Sequence, residues 1–162
     1  MSYKHSKSEL AKSVYEILND LMGDIHGARV PGIMAIKNPK IFKTKYPRYI
    51  VRNSITGILL AMRKFEDLWV SQIEKILLKE DLPSEGVALH TEIKNRKIRK
   101  FCNIVIAHYA KNKFSPKTSI EKIEELLLKQ GFETDDEFLL WTKGVISKME
   151  VVRDAIAKKY SL

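Results

Sequence analysis

Apolar residues recur at steps of three and four along most of the chain, which is the spacing of amphipathic α-helices. A capping box formed by Ser6 and Glu9 predicts the start of a first helix, which ends in the glycine-containing segment 23–27. The following segment, 29–47, contains three prolines and no sustained period, so it is predicted to be a long loop.

Three or four further helices follow the loop. A long amphipathic helix is predicted over 48–79 and a third helix over 87–113, which proline and serine close. A short helix opens at the capping box of Thr118, and a long last helix opens at Thr134 and runs almost to the C-terminus. No strand pattern competes, so the fold class is all-α, a bundle of four to five mainly antiparallel helices.

The composition suits one soluble globular domain covering residues 1–162. The chain has 44% apolar and 30% charged residues, and no apolar run reaches the ~18 residues that a membrane span needs. The polar start does not resemble a secretory signal, and the single cysteine, Cys102, excludes an internal disulfide. We therefore expect a cytoplasmic protein that makes no membrane contact.

Basic residues are concentrated in two stretches that contain no carboxylate. Segment 25–65 holds nine of them and segment 93–120 holds eight, together 17 of the 29 lysines and arginines, although the chain contains 20 acids. This pattern predicts a face that binds a polyanion, with RNA as the natural partner. Lysines that only solvate the surface are the alternative. The candidate nucleic-acid-binding residues are Arg48, Arg52, Arg96, Lys100, Lys111 and Lys113.

The sequence lacks the usual parts of nucleotide-hydrolysing and metal-dependent enzymes. It has no Gly-rich phosphate loop, no His-Glu-x-x-His arrangement and no acidic metal cluster, so no cofactor and no metal site is expected. Among the four histidines, His108 has a suggestive setting, since it flanks the apolar face of the third helix while Arg96, Arg99, Lys100 and Asn103 lie on the opposite, basic face. His108 is either a proton shuttle or a core-edge residue that is hydrogen-bonded to a carbonyl.

The segment 102–108, Cys-Asn-Ile-Val-Ile-Ala-His, resembles the signature of the HEPN superfamily, particularly its abortive-infection branch. In that signature an arginine, usually followed by Asn, precedes by four to six intervening residues a histidine that often follows Ala. Asn103, Ala107 and His108 match this pattern, whereas Cys102 stands where the arginine is expected. The long second helix followed by a motif in the third extends the resemblance loosely over most of the chain.

The resemblance implies a HEPN-like bundle that cleaves RNA without a metal ion. Two motif helices would meet across a homodimer through the third helix, and His108 would act on the 2′-hydroxyl or on the leaving group, assisted by Asn103. The abortive-infection or toxin–antitoxin type also implies an antitoxin or another regulatory protein as a partner. Because a cysteine side chain carries no positive charge, this sequence lacks the residue that would neutralise the phosphate in that motif. Arg99 lies three residues earlier and either replaces the missing arginine or belongs to the solvated basic face.

Two functions of other classes stay open at this point. The chain could be a non-enzymatic helical interaction or dimerisation module that binds an acidic protein or nucleic acid, in which case His108→Ala affects stability alone. A DNA-binding regulator is the weaker possibility, because no compact helix-turn-helix is evident.

Overall fold

The computed structural model describes residues 6–41, 46–111 and 116–162, with the side chains at 41, 46, 105–111, 116–120 and 122 outside the description. Its described part contains six α-helices and no strand. Short 3₁₀ turns, Pro39–Ile41 and Lys79–Asp81, precede the second and the third of these helices. The helices are α1 (Lys7–Lys37), α2 (Tyr46–Leu68, extended by a π-helical segment Trp69–Ile73 and the turn Glu74–Ile76), α3 (Ser84–Asn95), α4 (Ile98–Lys111), α5 (Pro116–Lys129) and α6 (Asp135–Tyr160).

Helix α1 begins at the predicted Ser6 capping box, but it continues through Pro31 to Lys37. The predicted helix end at 23–27 and the predicted loop over 29–37 are therefore wrong. The apolar stripe of α1 continues past Pro31, and Gly32 is buried where a Cβ atom would lie only 2.9 Å from the side chain of Ser54. Close packing against α2 thus outweighs the local preference of glycine and proline, because most helical stability in proteins comes from tertiary contacts.

The third predicted helix, 87–113, is two helices with a corner between them. Lys97 has φ of 52°, the left-handed conformation that ends α3, and its N–H donates to the Lys94 carbonyl at 3.0 Å. The guanidinium of Arg96 holds the corner, since it lies 4.5 Å from the ring centroid of Phe132 and 5.1 Å from that of Trp141. The described bundle has six helices rather than four or five because of this break.

Neighbouring helices run antiparallel, as contacts between them show. Asp24 of α1 lies 4.0 Å from Lys64 of α2, and Arg29 of α1 donates to the Leu139 carbonyl of α6 at 2.8 Å. In each helix pair, the residue numbers rise along one helix as they fall along the other. Residues 24 and 32 of α1 face 64 and 54 of α2, residues 63 and 67 of α2 face 103 and 99 of α4, and residues 86 and 92 of α3 face 152 and 141 of α6. The all-α prediction is confirmed for the described residues.

One continuous apolar core joins the helices. Its largest side chain is Trp69, 2% exposed, which donates from Nε1 to Glu74 Oε1 at 2.9 Å and stacks on His90 with ring centroids 5.1 Å apart. Gly86 of α3 lies beside this tryptophan. A Cβ atom at position 86 would lie 3.1 Å from the Trp69 ring and 2.4 Å from Val152.

Gly86→Ala is expected to lower the free energy of unfolding by about 1–3 kcal/mol, the usual cost of overpacking a core. Gly144→Ala is the matched control, because position 144 is also inside a helix but a Cβ atom there would meet no described atom within 4 Å. There the alanine should raise stability by about 0.5–1 kcal/mol through helix propensity. Urea unfolding of both variants checks the pair, and equal stabilisation by both alanines would contradict the tight α3–α6 contact.

Candidate nucleic-acid interface

Helix α4 lies between α2 and α5, and each of its edges meets a different neighbour. At about 100° per residue, Lys100 and Asn103 lie about 60° apart around the helix and are both exposed. Asn103 contacts α2, whereas Lys100 borders a groove shared with α5. The two residues are therefore neighbours on one solvent-facing strip of α4.

Asn103 is held by an arginine from α2. Arg63 donates from Nη1 to Asn103 Oδ1 at 2.8 Å, and its guanidinium also lies against the thiol of Cys102. Arg63 is half-buried and makes no ion pair with any residue that the structure describes. The pair thus combines a half-buried cation with an exposed amide.

Cys102 faces the core behind this pair and is 1% exposed. Burial raises the pKa of its thiol, and the nearby Arg63 guanidinium offsets part of that effect. A thiol in this state stays protonated near neutral pH and is a poor nucleophile. Cys102 is a packed residue, as its apolar setting in the sequence predicted.

Arg99 extends from α4 toward two acids of α2. Its guanidinium forms an ion pair with Asp67 and lies 3.5 Å from Glu66 Oε2, with the arginine side chain 45% exposed. These carboxylates already neutralise the charge of Arg99. The described contacts of Arg99 are therefore with acids of α2, and it is Arg63 that contacts Asn103.

A groove between α4 and α5 contains lysines and no acid. Its charged lining residues are Lys97, Lys100 and Lys129, and its cavity volume is about 440 Å³. Phe101, Ile104 and Leu126 form an apolar floor, and the amides of Asn95 and Gln130 complete the wall. We call this feature the lysine groove. Glu125 lies outside the lining and binds Lys129 Nζ at 2.5 Å, so Lys97 and Lys100 carry the uncompensated charge of the groove.

The other predicted nucleic-acid-binding arginines have different settings. Arg96 is half-buried between aromatic rings and donates to Glu92 and to the Gln130 carbonyl, so its predicted place on an exposed basic face is wrong. Because the helix breaks at Lys97, Arg96 is a structural residue of the corner. Arg48 and Arg52 line a separate cavity near the start of α2.

Three predicted residues fall partly or wholly outside the description. His108 and Lys111 belong to the backbone of α4, but their side chains lie outside the described residues, as does Lys113 altogether. The structure thus joins Lys100 and Asn103 on one strip of α4.

Arg63 does not stand out in the sequence. It is one of nine bases in an acid-free stretch, and no motif distinguishes it. Its partner Asn103 is 40 positions away along the chain, so the contact depends on the register between two helices. Helical periodicity shows which face is buried but not which residues meet across it.

The described residues contain no group of three or more His, Cys, Asp or Glu side chains placed to hold a metal ion. Among the described helices, none combines the length and the hydropathy that a bilayer span requires. No family model, curated protein or solved structure matches the chain.

Proposed function

We propose that this chain is a cytoplasmic RNA-binding helical protein that resembles the HEPN superfamily and cleaves RNA without a metal ion. The observation that carries the proposal is the lysine groove, which offers cations, amides and an apolar floor without a carboxylate. Phosphates attract lysines, and unstacked bases of single-stranded RNA pack on apolar surfaces while amides hydrogen-bond their edges. Five of the eight residues that line the groove belong to the acid-free segment 93–120.

The strip beside the groove supplies the parts for phosphate chemistry. Arg63 carries a positive charge that the described residues leave unpaired, and Asn103 orients it through a 2.8 Å hydrogen bond. A guanidinium placed there binds two phosphate oxygens and stabilises the charge that builds up as the 2′-hydroxyl attacks the phosphorus. His108, further along the same helix, is the proposed group that accepts the 2′-hydroxyl proton or protonates the leaving oxygen.

In this proposal two copies pair through α4, so that each contributes a motif helix to one RNA-binding cleft. Sedimentation at several protein concentrations measures this pairing directly. A regulatory protein that neutralises the enzyme would need an acidic surface, because it would compete with RNA for the same lysines.

Lys100→Ala is expected to weaken RNA binding and to reduce the slope of log affinity against log salt by about 0.7, the change for one lost phosphate contact on a single strand. Lys143→Ala is the matched control, since Lys143 is an exposed lysine on α6 outside the lysine groove. Titration of a labelled single-stranded RNA at several salt concentrations gives both slopes. An unchanged slope for Lys100→Ala would contradict the proposed binding face, and an acidic protein would then be the better partner.

The cleavage part is tested separately with labelled RNA, a metal chelator, and either the wild-type protein or His108→Ala. Cleavage by the wild type alone supports a metal-independent nuclease that acts through His108. If neither protein cleaves the RNA while both bind it, the chain is a binding module without nuclease activity.

A further inference from the structure

A second cavity lies where α1, α2, α5 and α6 meet, and it shares no lining residue with the lysine groove. Its volume is about 350 Å³, within the ~300–1,000 Å³ typical of small-molecule sites. Ala35 and Ile36 of α1, Val51 and Ile55 of α2 and Ile123 of α5 give it apolar walls. We call it the mixed-charge cavity because charged residues of both signs also line it.

The charged residues of the lining are two arginines from one helix and two carboxylates from two others. Arg48 and Arg52 come from α2, one helical turn apart, while Glu124 comes from α5 and Asp135 from the first turn of α6. Neither Arg48 nor Asp135 forms a hydrogen bond or a close ion pair with any residue in the described ranges. The cavity therefore combines cations, hydrogen-bond acceptors and an apolar body, and two of its charged groups are available to a ligand.

We propose that the mixed-charge cavity binds a guanine nucleotide, with the base between the apolar walls, the phosphate at Arg48 and the donor edge of the base at Asp135. The choice of a nucleotide over other small anions rests on the proposed function in RNA binding. The ligand is either a free nucleotide or a guanosine within RNA, because both present the same base and phosphate.

Guanine is favoured by the acceptors that the cavity offers. Its N1–H and N2 amino group donate side by side, so that one carboxylate accepts both. Adenine and cytosine present one amino donor beside a ring-nitrogen acceptor, which a carboxylate repels, and uracil flanks its single N–H with two carbonyls. A cavity wall with two carboxylates therefore discriminates in favour of guanine.

Ionisation of Asp135 lowers the stability of the folded protein. Burial raises the pKa of its carboxyl, Glu124 raises it further, and Arg48 offsets part of the increase. Because the folded-state pKa lies above the unfolded one, ionised Asp135 destabilises the fold as pH rises through the folded-state pKa. Such a cost is common where a binding site requires a charge, and a donor edge at Asp135 would compensate for it.

The stability part of the proposal predicts opposite behaviour of two neighbouring variants. Asp135→Asn should raise the melting temperature near neutral pH relative to Asp136→Asn, and the difference should shrink as pH falls toward the ordinary carboxyl pKa of 3.8. Asp136 is the matched control because both acids lie in the first turn of α6 and meet the same helix dipole. Thermal unfolding at several pH values checks this, and an equal melting temperature of the two variants near neutral pH would contradict the cost assigned to Asp135.

The binding part is tested by calorimetry with guanosine 5′-monophosphate (GMP) and inosine 5′-monophosphate, which lacks only the N2 amino group. The wild type should bind GMP about tenfold more tightly than the inosine nucleotide, the discrimination that one half of a bidentate contact provides. Asp135→Asn should abolish this preference, whereas Asp136→Asn should keep it. Equal binding of both nucleotides by the wild type, or an unchanged preference in Asp135→Asn, overturns the proposal.

Oligonucleotides separate this proposal from the proposed function and identify the source of the ligand. If a uridine-only RNA binds through Lys100 while GMP does not bind at millimolar concentration, the cavity proposal is wrong and the lysine groove stands. If GMP binds as expected and a guanosine added to that RNA tightens binding through Asp135, the ligand is a guanosine of the RNA. If GMP binds as expected but RNA does not bind, the cavity is a site for the free nucleotide and the RNA-binding function is wrong.

Discussion

Cys102→Arg, which would restore the arginine of the HEPN-like signature, is expected to lower the free energy of unfolding by about 3–5 kcal/mol, the range for an uncompensated buried charge. Cys102 is 1% exposed and faces the core, so an arginine at this position has no direct access to solvent. The guanidinium of Arg63 already lies against this side chain and would repel a second cation. Urea unfolding of the variant and of the wild type measures the difference.

Cys102→Ala is the control for simple loss of the thiol, with an expected cost of about 1 kcal/mol, typical of a point substitution. An arginine variant that folds as stably as the wild type and cleaves RNA faster would show that position 102 reaches the surface. In that case an arginine at position 102 would act as the arginine of the HEPN-like signature, and the cysteine found there would be the cause of reduced activity.

Arg63→Gln is expected to slow RNA cleavage by about 10²–10³-fold, the usual effect of removing one donor that stabilises transition-state charge. Glutamine keeps a hydrogen-bond donor for Asn103 but removes the charge, so the fold should persist while the phosphate loses its cation. Single-turnover cleavage of labelled RNA in a chelator measures the rate. A circular dichroism spectrum confirms that the helices remain.

Arg99→Gln is the matched control, because Arg99 also lies beside the strip but is neutralised by Asp67 and Glu66. Its loss should change the cleavage rate much less than the loss of Arg63. A larger effect at Arg99 than at Arg63 would assign the phosphate to Arg99, which is one of the two roles that the sequence left open for this residue.

The helical class was predictable because the apolar period of this chain is strong and unbroken by any strand pattern. The last helix illustrates this, since its Thr134 cap accepts from the Glu137 N–H at 3.1 Å as the capping box predicted. The end of α1 was not predictable. Gly23, Gly27 and Pro31 are ordinary signals for a helix end, but the stripe that contains Gly32 and Ala35 is buried against neighbouring helices that lie far away in sequence.

The corner after α3 had only a weak local signal. Neither glycine nor proline occurs near Lys97, but four polar residues, 94–97, separate Ile93 from Ile98, which is a step of five instead of three or four. The helix breaks because Arg96 stacks on Phe132 and Trp141 and donates to Glu92, whose carboxylate also accepts from Trp141 at 2.9 Å and Lys148 at 3.2 Å. Burial raises the pKa of Glu92, but these hydrogen bonds outweigh it and lower the pKa overall.

The candidate site was predictable only where it is local. Lys100 and Asn103 share α4, so helical spacing alone placed both on its basic face. Arg63 and Lys129 come from other helices, and their positions depend on how those helices are aligned in the bundle. Charge counting found the basic segments correctly as sequence features, but it could not show that Arg99 faces acids of α2.

The left-handed conformation of Lys97 gives the protein an unfavourable residue at the corner, where glycine is the usual choice. A non-glycine residue in this conformation costs about 1–2 kcal/mol, so a screen for thermostability would select glycine at this position early. The same exchange would remove one of the lysines that line the groove. A more stable corner and a further cation in the lysine groove therefore require different residues at position 97, and this chain has the cation.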